Sequence, residues 1–370
     1  MKIAVISDLH VENHRVLPGE YVAGVNQRCR DAAAAVRGVP DFLRAAKQRV
    51  DAFVVTGDAF DCAQPTPAVI AELAAALATF PAPVYLLPGN HERSTDQLGH
   101  HALSALRHSK NCIVVNEPEV VLAGTVPGGL LLVPFVTNAA EVIGALVAQH
   151  RPAFAFCHVG LVDADSPPWL REGDRLPVDL VRSWCKEHGL RGLFAGDFHA
   201  HRALQEVPPI VQVGALCQAD FSDPVDATGF VTVLDTKSGT IWRSQMNRGR
   251  RPVFLSCSHH EVITTASADV TANASALYLS VECPLDKRLA VQAILDELRD
   301  ADDGAQPLHY RFTDPLADAE REAAARAEAA LNAPPPATAR EMVAAFCSRE
   351  AGADADLATR AASIACEALS

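Results

Sequence analysis

Leu193-Phe194-Ala195-Gly196-Asp197-Phe198-His199-Ala200-His201 is a short apolar run, a glycine, and then alternating ligand-type residues. The run is long enough for one buried strand, and Gly196 lets the backbone turn as it leaves the sheet. In extended backbone Asp197 and His199 share a face, so a carboxylate and an imidazole would leave the strand end together. An apolar run followed by a ligand-type residue occurs four more times upstream. Residues 2–7 form an apolar run ending in Asp8-Leu9-His10, and residues 52–56 lead into Gly57-Asp58 and then Asp61. Residues 83–87 lead into Gly89-Asn90-His91-Glu92, and residues 153–157 into His158. Helical patterns separate the first three runs: about 26–49, interrupted at Gly38-Val39-Pro40, and 66–78 with Pro67 in its first turn. Strands and helices alternating at this spacing predict βαβ units and a parallel sheet.

Further strands are expected around Val120 and Leu131, then a helix over 139–148 and an irregular polar excursion over 161–190. After the opening stretch, 210–213, 229–234 and 240–245 read as consecutive strands, an antiparallel ending to a second sheet. The texture changes near residue 251. Residues 277–281, 289–298 and 309–312 suggest a small strand-helix-strand unit, and 316–332 an Ala/Glu/Arg helix. Pro334-Pro335-Pro336 is a stiff linker, and 338–369 make one or two amphipathic helices.

Ligand sites of α/β sheets form at the carboxyl ends of strands, so five such ends could converge on one crevice. Taken singly, Asp and Asn after strands are common turn formers, and His158 alone would be a satisfied polar residue. The ordered series is what argues for chemistry. Its donors are oxygen and imidazole without thiolate, which disfavours structural zinc and suits manganese, iron or zinc in a catalytic role. Asp8, His10, Asp58, Asn90, His158, Asp197 and His199 are too many for one tetrahedral ion. They suit two ions about 4 Å apart that orient a hydroxide toward phosphorus.

Composition sets bounds. The chain has 370 residues, enough for two or three domains, with 49% hydrophobic and 21% charged residues. The longest apolar candidate, 120–136, is broken by Pro127-Gly128-Gly129, so no membrane span or membrane partner is expected. No signal-peptide pattern opens the chain, and ten cysteines without CxxC pairs read as reduced thiols of a cytoplasmic protein. A net charge of −13 is unexpected for a surface that clings to nucleic acid. It calls for a focused site or a partner that supplies positive surface. The most concentrated basic run is Arg243, Arg248, Arg250 and Arg251, which could touch a nucleic-acid backbone or be a solvated hairpin edge. His100, His101 and His108 read as loop residues, and Cys157 should face the core, opposite His158.

Asp8-x-His10, Gly57-Asp58, Gly89-Asn90-His91-Glu92, His158 and Gly196-Asp197-Phe198-His199, in that order, resemble the motifs of the calcineurin-like metallophosphoesterases. Three softer features resemble the SbcD-type DNA double-strand-break nucleases and their phage relatives: Gly24-Val25-Asn26-Gln27-Arg28, Gly57-Asp58-Ala59-Phe60-Asp61, and the run from Val213 to Phe221. The resemblance implies a two-sheet α/β sandwich flanked by helices. It implies a dimetal nuclease domain over 1–250, a small α/β cap over 251–315 and a helical tail over 316–370 that could dock an SbcC-type coiled-coil ATPase. It further implies a homodimer acting on DNA. Asp8, His10, Asp58 and His199 would hold one metal; Asp58 would bridge, with Asn90, His158 and Asp197 holding the second. His91 would be the general acid, oriented by Glu92.

One departure stands out, because the family usually has histidine where Asp197 stands. A register using His199 and His201 would leave Asp197 outside the metal shell; the register using Asp197 and His199 fits Gly196 better. A third carboxylate lowers the charge of the site and favours a hard ion such as manganese. His201 and Arg202 remain candidates for substrate phosphate.

Overall fold

The computed structural model describes residues 1–94, 99–122, 126–166, 175–246, 251–262, 265, 274–301 and 307–314. The chain divides into two units, Met1–Thr313 and Asp314–Ser370. The proline linker and the helices expected over 316–332 and 338–369 lie outside the described residues.

Two six-stranded sheets carry the fold. The first runs Ile241–Gln245, Phe230–Asp235, Lys2–Ile6, Ala52–Val55, Val84–Leu86, Cys112–Val114. Its last four strands are parallel, and Phe230–Asp235 lies antiparallel to Lys2–Ile6. The second runs Arg202–Glu206, Pro209–Gln212, Leu193–Gly196, Phe154–His158, Leu130–Val133, Glu119–Val121, parallel across its four central strands. Side-chain alternation decides what each face meets. Ile3, Val5 and Val54 from the first sheet share one buried cluster with Phe154, Phe156 and Phe194 from the second. Each such fully buried aromatic contributes roughly 1.5–3 kcal/mol. The alternate residues Ala4, Ile6, Phe53 and Val55 pack outward against helices Gln27–Ala45 and Pro67–Leu77. Ala155, Cys157, Leu193 and Ala195 pack outward against Ala139–His150 and Val178–His188. The result is a helix–sheet–sheet–helix sandwich, the two-sheet architecture that the motif resemblance implies.

Three expectations are corrected. The first helix, Gln27–Ala45, is capped by the Asn26 side chain on the Cys29 amide at 2.9 Å and continues through Gly38 and Pro40. Proline inside a helix costs about 3 kcal/mol, which burial of Val36, Val39, Phe42 and Leu43 on the sheet offsets. The excursion after residue 160 contains the helix Val178–His188, whose Val178, Val181 and Trp184 are buried one turn apart and which ends on Gly189 at φ 77°. The late strands do not finish the second sheet. Pro209–Gln212 joins it, whereas Phe230–Asp235 and Ile241–Gln245 return to cover the open edge of Lys2–Ile6, which would otherwise leave unpaired backbone groups.

Residues 253–313 add a parallel sheet, Val253–Ser258, Leu277–Glu282 and Leu308–Thr313, backed by helix Arg288–Ala301. It is pinned to the sandwich by polar contacts. Tyr278 donates to Asp31 at 2.8 Å, and Gln218 exchanges two hydrogen bonds with the Phe254 backbone, both 2.9 Å. Arg251 is fully buried and donates to Thr228 and to the Val225 carbonyl. That takes Arg251 out of the basic run, and Arg243 pairs with Glu206 at 2.7 Å; Arg248 and Arg250 lie outside the described residues.

Candidate active site

All five ligand-bearing strand ends open on one side of the sandwich, but not through extended backbone. Asp8, His10, Asp58 and Asp197 have φ of 50°, 45°, 48° and 85°. Left-handed backbone costs a non-glycine residue roughly 1–2 kcal/mol, and strain of this kind collects at functional sites. The turns also need glycine. A Cβ at Gly57 would run into the His158 imidazole, and one at Gly89 into the Asp58 carboxylate.

Among the described residues three groups of potential metal ligands result, Asp8–His10–His199, Asp8–Asp58–His158 and His10–Asp61–His91, each with its donor atoms within 4.8 Å of one another. The carboxylate common to the first two is Asp8, where the resemblance assigns the bridging part to Asp58. In the first group, Nε2 of His10 and Nε2 of His199 face each other at 3.0 Å. Their Nδ1 atoms meet Asp61 and Asp223 at 2.8 and 2.7 Å. An Nδ1–H given to a carboxylate leaves Nε2 as a bare lone pair in neutral imidazole, so two lone pairs meet unless a proton or a cation lies between them. Burial opposes a charge on His199, yet Asp223 and Asp8 push it up to about 9.

In the second group, His158 gives Nδ1–H to the Thr56 carbonyl at 2.7 Å. Its Nε2 then faces Asn90 Oδ1 at 2.8 Å, Asp58 Oδ2 at 3.3 Å and Asp197 Oδ1 at 3.9 Å. Four acceptors converge without a donor among them when the ring is neutral. Burial works against the imidazolium, but Asp58, Asp8 and Asp197 raise His158 well above its ordinary range. Asp8 Oδ2 is buried without a hydrogen-bond partner among the described residues, and burial raises its carboxyl. A buried carboxylate oxygen lacking a partner is costly, and a divalent cation relieves it. The donors therefore fit divalent ions: Asp8, His10 and His199 at one end, and Asp8 again with Asp58, Asn90, His158 and Asp197 at the other.

His91 stands at the mouth with its side chain 41% exposed. Glu92 does not orient it. Neighbouring side chains in this turn diverge, and Glu92 goes inward to accept from the Phe60 and Gly89 amides at 2.8 and 2.7 Å. Burial, with Asp58 nearby, pushes its carboxyl up to about 8. The group that orients His91 is Asp61, 3.1 Å from its Nδ1. That hydrogen bond pushes His91 up to about 9. Burial would raise Asp61, but hydrogen bonds from His10 and His91 hold it far below the usual carboxylate range.

The neighbouring candidates lie elsewhere. His201 bonds the Val213 carbonyl at 2.9 Å and stacks on Phe230, so the register pairing His199 with His201 is not adopted. Arg202 is paired with Asp163 at 2.8 Å. His101 bonds Asn116, while His100 and His108 are exposed. Sequence reasoning missed the parts played by Asp61, Asp223 and Arg175, the last 3.3 Å from Asp197. Only Asp61 carried a signal, three residues past Asp58 in the same turn.

The family model for calcineurin-like phosphoesterases matches residues 1–201. No curated protein sequence matches the chain. Solved structures similar to it include TT1561 of Thermus thermophilus, at 14% identity and TM-score 0.38, covering 66% of this chain and 98% of that one. Another is GAP50, the anchor in the inner membrane complex of Plasmodium, at 8% identity and TM-score 0.39, covering 67% and 88%. Likenesses this distant fix neither fold nor substrate. The family match spans more than half of the chain and contains every strand end that supplies a ligand here, so this protein belongs to the calcineurin-like phosphoesterases.

Proposed function

We propose that this phosphoesterase hydrolyses phosphodiester bonds in DNA, as an SbcD-like nuclease of end processing or recombination. The observation that carries the reading is the way the site opens. From His10, His91 and His199 a cleft of about 520 Å³ runs to Arg311 of the small sheet, so the space beside the ligand groups extends beyond them and can hold more of a substrate than the reacting phosphate. The motif series supports the same reading. Two divalent ions, manganese for a site this rich in carboxylate, would polarise the phosphoryl group and supply an acidic water.

The protein's own residues do the rest. Asp61 holds Nδ1 of His91 and keeps the ring protonated at neutral pH, which leaves Nε2–H for the substrate. As the P–O bond breaks, the departing sugar oxygen keeps the electron pair and takes that proton; solvent then reprotonates the imidazole. The Glu92 anchor holds the turn that carries His91. An SbcC-type ATPase and a second copy of this chain are the partners such a nuclease would take, and the ATPase would supply the positive surface that a chain of net charge −13 lacks.

A manganese-supplemented assay on an end-labelled duplex and on a chromogenic phosphodiester tests the reading. Degradation of the duplex is expected. Chromogenic turnover alone would mean a small-molecule phosphodiesterase, and silence on both a scaffold. His91→Ala should cut duplex cleavage about 10²–10⁴-fold with metal content retained; undiminished cleavage would remove His91 as the acid.

A further inference from the structure

We propose that Arg15, Phe221 and Arg311 form a subsite for one nucleotide of a single strand, on the leaving-group side of His91. This rests on the nuclease reading and names how that substrate is held. Arg15, Arg28, Phe221 and Arg311 all line the cleft that His91 also borders.

The guanidiniums divide by role. Arg28 is structural. It donates to the carbonyls of Val16 and Ala219, one on each wall, and lies 4.5 Å from the Phe254 ring centroid. The cleft walls are thereby fixed before any ligand arrives. Arg15 and Arg311 have no carboxylate partner among the described residues. The two acids nearby are already engaged: Asp61 by His10, His14 and His91, and Asp220 by the amide and hydroxyl of Ser222. An acidic chain thus presents a local cationic cleft beside its reactive centre, where an anion is drawn in.

The shape narrows the anion. Arg311 gives its Nε–H to Ser280 at 3.0 Å and lies 4.8 Å from the Phe221 ring centroid. Phe221 is in turn braced edge-on against Phe254, with centroids 5.4 Å apart. A guanidinium on an aromatic ring is a flat, rigid platform, and nucleobases stack on such surfaces without regard to sequence. The terminal nitrogens of Arg311 make no hydrogen bond among the described residues and can take a phosphate, as can Arg15. About 520 Å³ is the size of a small-ligand site and accommodates one nucleotide. Because His91 borders this cleft, the nucleotide held here is on the departing side of the broken bond.

The test compares kcat/KM on a short single-stranded oligonucleotide with kcat/KM on a chromogenic phosphodiester that has no base. Phe221→Leu keeps apolar bulk and removes the ring; Arg311→Met keeps the stem and removes the charge. Each should lower the oligonucleotide-to-chromogenic ratio about 10- to 100-fold. Arg15→Ala should reduce the slope of log KM against log salt by about one charge. An unchanged ratio in both Phe221→Leu and Arg311→Met would overturn the subsite. Wild-type protein that turns over the chromogenic ester but no oligonucleotide would instead remove the nuclease reading, and the subsite with it.

Discussion

The His10–His199 end of the site and the His158–Asp197 end hold similar ligands on opposite kinds of support. Behind His10 and His199 stand two carboxylates, Asp61 and Asp223. Such partners fix the ring and raise its basicity toward a cation. Behind His158 stands the neutral Thr56 carbonyl, and behind Asp197 stands a cation, Arg175, itself 5.0 Å from the Phe198 ring. One end is built to hold an ion tightly. The other has an additional carboxylate whose charge is partly cancelled from outside. The difference teaches that counting ligands does not give affinity; the charge behind them sets it.

Asp8 belongs to both ends, so Asp8→Asn should have the largest effect. Loss of activity should exceed the roughly 10–100-fold that outer partners supply, and calorimetry should detect neither ion. The same change removes a buried charge whose Oδ2 has no hydrogen-bond partner among the described residues, so the metal-free protein should melt higher than wild type. Two ions still bound in Asp8→Asn would break the scheme.

Next come the backing carboxylates. Asp61→Asn and Asp223→Asn should each weaken the tighter ion about 10- to 100-fold and leave the other nearly untouched. Equal weakening of both ions would mean that the two ends are not independently supported. Arg175→Met should act with the opposite sign, tightening the weaker ion a few-fold as the competing cation is withdrawn. Asp197→His should move that end's preference from manganese toward zinc; an unchanged metal profile would contradict the charge argument.

The smallest effect concerns acid stability away from the ions. Burial lowers His101 and His309 below the ordinary value near 6.5. The unfolded chain then binds more protons than the folded one as pH falls below that value, so stability is full above it and declines below. Thermal melts from pH 7 to pH 5 should show the decline. His309→Phe, which keeps the stack on Tyr278, should flatten it; a variant with the same slope would refute this source.

The sequence carried the parts of the site that are local. An apolar run and a ligand lie within ten residues of one another, and burial of the run forces the ligand to the sheet's end. This is why Asp8, His10, Asp58, Asn90, His91, His158 and His199 could be named from their own neighbourhoods. The extended i, i+2 geometry offered for Asp197 and His199 was wrong in detail, because Asp197 has left-handed backbone at φ 85°.

Order and charge between distant segments were not legible in the same way. Phe230–Asp235 looks like a neighbour of the strand before it, yet it crosses to the first sheet because the edge of Lys2–Ile6 needs a partner. Asp223 sits 24 residues from His199, and Arg175 reaches Asp197 from a segment read as irregular. The sequence by itself determined which side chains stand at strand ends and what ions they suit. Only the tertiary structure decided which ends face each other and what charge lies behind each ligand. Sheet order is set by pairing energies spread over the whole fold, and no short stretch of chain contains them.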